Sequence, residues 1–66
     1  MISLLRLAEV KRRTGLSRST IYLFMARGEF PHSIRLGARA VAWNSESVDA
    51  WIERRIEDDR SKKVAR

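Results

Sequence analysis

The stretch from Leu5 to Met25, LRLAEVKRRTGLSRSTIYLFM, constrains this chain most, because it reads as two short helices joined by a tight turn over Thr14-Gly15-Leu16. A helix from about Leu7 to Arg13 places Leu7 and Val10 on one side, at the spacing of a buried stripe. Gly15 falls where that helix must stop, a place that often requires the positive backbone angle glycine adopts at little cost. Leu16 then plugs the turn. Ser17 is a good N-cap for a second helix over about Arg18 to Arg27, which Gly28 and finally Pro31 terminate. In that helix Ile21, Phe24 and Met25 form the buried stripe, while Arg18, Ser19, Tyr22 and Ala26 share a different face that has no reason to be apolar. This is the layout of a helix-turn-helix, and it makes double-stranded DNA the expected partner.

Beyond Phe30-Pro31 the pattern changes. Ile34-Arg35-Leu36 and Ala40-Val41-Ala42-Trp43 read as two short strands around Gly37-Ala38-Arg39, a hairpin or wing. Their alternation points Ile34, Leu36, Val41 and Trp43 toward the core and leaves Arg35 and Arg39 outward. Asn44 or Ser45 caps a third helix over about Glu46 to Asp58, with Val48, Trp51, Ile52 and Ile56 as its core stripe and Glu46 and Asp49 favourably placed near its start. Ile2 to Leu5 reads as a short extended entry packed on the domain. The expected fold is α+β, mainly α: a small winged helix-turn-helix with a two-stranded hairpin wing and a C-terminal helix. Residues 1–58 form the domain, and residues 59–66 are a charged tail, frayed or flexible.

The chain has 66 residues and no cysteine, so one small domain must be held by core packing, with neither disulfides nor a thiolate metal site. No apolar run approaches a membrane span and the amino terminus lacks the pattern of a signal peptide, which places the protein in the cytoplasm with no membrane partner. The net charge is +6, and its distribution says more than its size. Up to Trp43 eight bases face only two acids, Glu9 and Glu29, whereas from Asn44 onward six bases balance six acids. A one-sided basic field is what a phosphate-binding surface needs.

Arg18 is the strongest candidate for reading a base, since its planar fork can donate two hydrogen bonds to guanine O6 and N7 in the major groove. Ser19, Thr20 and Tyr22 are further candidates for bases or phosphates, although Ser17, Ser19 and Thr20 also suit a helix start, and Tyr22 also suits a core edge. Lys11, Arg12 and Arg13 would pass for a solvated helix end in isolation; just before the turn, where the first helix of such a motif crosses the DNA backbone, they become phosphate candidates. Arg27, Arg35 and Arg39 join them, with Arg39 ahead of Arg35 because the small residues around it permit close approach to a minor groove. Trp43 and Trp51 could stack on bases, but their phase assigns both to the core. Enzymatic readings find little support: His32 lacks metal-spaced partners or a nucleophile, and Glu53, Glu57, Asp58 and Asp59 lie among arginines at ion-pair spacing. The expectation is a non-enzyme without cofactor or metal.

Taken in order, Leu5-Arg6-Leu7 before Val10, Thr14-Gly15-Leu16-Ser17-Arg18-Ser19-Thr20-Ile21-Tyr22, Phe30-Pro31, Leu36-Gly37, Val41-Ala42-Trp43 and Val48-Asp49-Ala50-Trp51-Ile52 resemble the AlpA-type prophage regulators. These are small relatives of the excisionase and MerR-type winged helices. The resemblance spans about Leu4 to Ile56. It implies a DNA-binding regulator carried by a prophage or integrative element, with Arg18, Ser19, Thr20 and Tyr22 at the recognition positions and the wing around Arg39. One departure is Lys11, four positions before the turn glycine, where a small residue usually lets two helices pack closely. Either its stem is buried with the ammonium reaching out, or the helices cross more loosely. Two other functions stay open on the sequence: an excisionase-type directionality factor acting with an integrase, and a basic module for RNA or an acidic protein. A single domain this small has a limited footprint, so a second copy or an integrase is an expected companion on DNA.

Overall fold

Residues 2–64 are described by a computed structural model, which runs β1 (Leu4–Leu5), α1 (Leu7–Thr14), α2 (Arg18–Ala26), β2 (Ile34–Arg35), β3 (Val41–Asn44) and α3 (Ser45–Val64). Glu9 in the first turn of α1 and Lys11, Arg12 and Arg13 in its last turn both suit the helix dipole. The helix ends at Gly15, whose φ of 73° lets its N–H reach the Lys11 carbonyl at 2.8 Å. Thr14 braces the turn from both sides. Its hydroxyl donates to the Val10 carbonyl at 2.8 Å and accepts the Leu16 N–H at 3.2 Å. Ser17 caps α2 as expected, its Oγ accepting the Thr20 N–H at 3.2 Å. At the other end Gly28, with φ 73°, donates to the Met25 carbonyl at 3.1 Å while Glu29 donates to Phe24 at 2.8 Å, a Schellman closure.

The strands form one antiparallel sheet in the order β1-β3-β2. The entry segment is therefore a third strand, with Leu4 opposite Asn44 and Leu5 opposite Trp43. A two-stranded hairpin would leave the other edge of β3 with unpaired N–H and C=O groups, and the backbone of β1 fills it. Ser45 locks this junction: its N–H donates to the Ser3 carbonyl at 2.8 Å, and its buried Oγ accepts the Ser3 N–H at 2.9 Å.

The wing register corrects the expected facing of the hairpin. Ile34 pairs with Ala42 and Arg35 with Val41, so Ile34 and Leu36 stand on the opposite face from Val41 and Trp43 and are exposed. Pointing all four inward would require a register shifted by one residue, and a one-residue shift exchanges the faces of a strand. The core instead takes Leu5 and Phe30, which with Val10, Ile21, Trp43 and Val48 make one buried cluster. The four largest side chains that are fully buried, Trp43, Ile21, Val10 and Val48, come one each from β3, α2, α1 and α3. α1, α2, β3 and α3 thus each contribute one fully buried apolar anchor, and β1 adds Leu5.

Both tryptophans serve the core and also bind the connection after α2. The Trp43 indole donates to the Pro31 carbonyl at 3.1 Å, the Trp51 indole donates to Glu29 at 2.6 Å, and the Phe30 ring meets Trp51 edge-on at 4.9 Å.

Asn44 caps α3, its Oδ1 accepting the Glu46 and Ser47 N–H groups at 2.8 and 3.4 Å. The helix continues to Val64, past the expected end at Asp58, so the segment expected as a tail is helical through Val64; Ala65 and Arg66 lie outside the described residues. Interleaved acids and bases at helical spacing, such as Arg60 and Glu57 at 3.8 Å, favour that extension. Ile56, expected in the core stripe, is 52% exposed, because the packed cluster ends at Ile52. The helix of about 30 Å then runs past the packed cluster, and the molecule's long axis reaches 48 Å.

Candidate nucleic-acid interface

Helix α2 is seated by Ile21, fully buried, with Phe24 and Met25 half-buried beside it. Arg18, Ser19, Tyr22, Leu23, Ala26 and Arg27 are exposed. The helix is held along one narrow stripe and leaves the rest of its surface to solvent. Of the four expected base-reading residues, Arg18, Ser19 and Tyr22 share that open side, and two of them touch: the Arg18 guanidinium carbon lies 5.3 Å from the Tyr22 ring centre. Tyr22 in turn meets Trp43 edge-on, with centroids 6.3 Å apart and planes at 72°. Thr20 differs. It is half-buried, and both its N–H and its Oγ1 are engaged by Ser17, the hydroxyls 2.9 Å apart.

Leu23 escapes the sequence reading. It is 47% exposed at the middle of α2, one turn beyond Ser19 and three residues before Ala26. The spacing Ser19, Leu23, Ala26 carried the signal, but a leucine in an apolar run suggests burial first.

The basic run before the turn is not three equivalent cations. Arg12 makes a double hydrogen bond to Glu9, Nε to Oε1 at 3.0 Å and Nη2 to Oε2. Arg13 also holds Glu9, at 3.1 Å, and extends Nη1 to Asp49 at 3.3 Å, tying α1 to α3. The Glu9 carboxyl is consequently held below its ordinary pKa, chiefly by the Arg12 hydrogen bond and then by Arg13, and Arg12 is raised by the same contact. Lys11 is exposed. Among the described residues Lys11, Arg27, Arg35 and Arg39 have no ion pair.

Arg35, opposite Val41, stands on the face of the sheet that Val41 shares with Trp43, against which Tyr22 packs. Arg39 lies in the connection between β2 and β3, closed by the Leu36 and Gly37 N–H groups donating to the Ala40 carbonyl at 2.7 and 3.3 Å. Gly37, Ala38 and Arg39 are exposed, and a methyl group added at Gly37 would meet open space. His32 is an exposed loop residue, and among the described residues no cluster of three metal-ligating side chains occurs. No helix among them is long and apolar enough to cross a membrane.

Two short helices hinged at a left-handed glycine, the first packed on both the second and a three-stranded sheet that carries a hairpin wing, define a small winged helix-turn-helix protein. Residues 3–56 match the family described as Prophage CP4-57 regulatory protein (AlpA), and the chain belongs to that family. The family is one of regulatory proteins rather than a class of enzyme. Among similar proteins, the uncharacterized protein ORF88 of enterobacteria phage P4 is 50% identical over 52 residues, which cover 79% of this chain and 59% of that relative's length. The DNA-binding transcriptional activator AlpA of Escherichia coli is 32% identical over 60 residues, covering 82% of this chain and 86% of that protein.

Proposed function

We propose that this protein is a sequence-specific regulator of transcription in a prophage or integrative element, reading the major groove of double-stranded DNA with α2. The observation that carries the reading is the open side of α2: Arg18, Ser19 and Tyr22 are displayed on a helix anchored only by Ile21, Phe24 and Met25. A helix of 9 residues is narrow enough to enter the major groove. The name of the Escherichia coli relative, a DNA-binding transcriptional activator, supports the same partner.

In this reading Arg18, against the Tyr22 ring, reads a base edge, and Ser19 contacts a base or a nearby phosphate. Thr20 fixes the helix start through its cap with Ser17. Lys11, Arg27, Arg35 and Arg39, which hold no carboxylate, meet the backbone, with the wing tip over a minor groove. Arg12 can join them by leaving Glu9, whereas Arg13 is committed to Glu9 and Asp49 and acts within the fold.

The test is selection from a random duplex library at moderate salt, followed by binding of the winning duplex against a scrambled one. An enriched motif with clear preference over the scramble is the expected result; a single site at a promoter identifies regulation, and phased sites beside an attachment site would assign excision instead. Selection without enrichment would overturn the reading and turn attention to an acidic protein or RNA partner.

A further inference from the structure

The contacts around Tyr22 form a chain that ends on the base-reading candidate. Trp43 has no exposed surface and is pinned by its hydrogen bond to Pro31. Its ring receives Tyr22 edge-on, and the guanidinium of Arg18 rests over Tyr22 at 5.3 Å. Tyr22 is 37% exposed, so one side of its ring belongs to the core edge while another remains available to Arg18.

We infer that Tyr22 is a positioning residue: its ring, braced by buried Trp43, holds the Arg18 fork ready for a base edge, and its hydroxyl is not the reading group. The inference rests on the proposed reading of DNA by α2 and deepens it. An arginine alone on an exposed helix start samples many rotamers, and ordering it on binding costs entropy. A ring beneath the guanidinium attracts it through the cation–π interaction and restricts it to a plane, while all its N–H donors stay free at the edge of that plane. Among the described residues no carboxylate competes for Arg18. Tyr22 thus contacts its charge and leaves its hydrogen-bonding capacity intact.

Two measurements test this, the first without DNA. In the free protein, ring-current shifts of the Arg18 Cδ and Nε protons are expected in the wild type and in Tyr22→Phe, and are lost in Tyr22→Leu. Wild-type protein lacking these shifts would overturn the inference whatever the protein binds. The second uses the selected duplex and a scan of its base pairs, with thermal unfolding confirming that each variant is folded. Tyr22→Leu should lose about two- to fivefold of discrimination at the single base pair that Arg18→Ala relaxes, Tyr22→Phe should keep it, and Tyr22→Leu should add nothing in an Arg18→Ala background. If Tyr22→Phe loses as much as Tyr22→Leu, the hydroxyl reads and the inference fails. It fails equally if the Tyr22→Leu loss persists without Arg18. Absence of any enriched duplex defeats the DNA reading, whereas an enriched duplex without this coupling defeats the positioning role alone.

Discussion

Glu9 shows how one carboxylate decides which cations remain for a ligand. Two arginines hydrogen-bond it, and its pKa is lowered for that reason. A carboxyl held below its unfolded value contributes stability that is present above that value, about 4.3 for glutamate, and is lost as the pH falls through the lowered folded value. Glu9→Gln should therefore melt below wild type at neutral pH, and the gap should close as the pH is taken below about 4. Thermal melts across that range measure it, and a gap independent of pH would show that the ion pairs are not its cause. The contact between Glu9 and the arginines was readable from spacing, since residues three and four apart on a helix are neighbours. The link from Arg13 to Asp49 was not. It joins residues 36 positions apart, and only the packing of α1 beside α3 brings them together.

At the scale of the element, the helices were legible and the strands less so, for a physical reason. Each helix advertised itself through a periodic stripe and its own cap, and Ser17, Gly15 and Gly28 occupy those caps in the fold. The wing offered two registers one residue apart. Ile34 and Leu36 are as apolar as Val41 and Trp43, so alternation alone could not say which set faces inward; in the fold Ile34 lies opposite Ala42 and is exposed, while Val41 and Trp43 pack on or in the core. β1, with only two residues, is too short to announce itself and exists because β3 has a free edge. The glycines separate these cases experimentally. Gly15 has φ 73° and nothing near its missing Cβ, so Gly15→Ala is strained by backbone conformation alone and should cost about 1 kcal/mol or somewhat more. Gly37 has open space too but an ordinary φ, and Gly37→Ala should leave stability unchanged. Denaturant unfolding of the two variants checks the contrast; equal losses would mean that the wing turn relies on glycine in a way its backbone angles do not show.

Across the whole molecule the charge is unevenly distributed along the chain. The positive excess lies entirely in the part up to Trp43, while the part from Asn44 onward is balanced and α3 carries mixed charge past the core. Within the basic part, pairing narrows the set that can release counterions from DNA: Arg13 is tied to α3, and Arg12 must give up Glu9 first. Each phosphate neutralised contributes about 0.9 to the slope of log affinity against log salt, so the slope reports which cations touch the backbone. Arg39→Ala should weaken specific and random duplexes alike and flatten that slope by about one unit. Arg13→Ala should leave the slope nearly unchanged and appear instead as a small fall in Tm, because its contacts are within the fold and partly exposed. Titrations of a selected duplex at several salt concentrations, beside melts of the same variants, distinguish the two. A slope that flattens for Arg13→Ala would mean that DNA draws Arg13 away from both carboxylates, and that α1 gives up its tie to α3 when the protein binds.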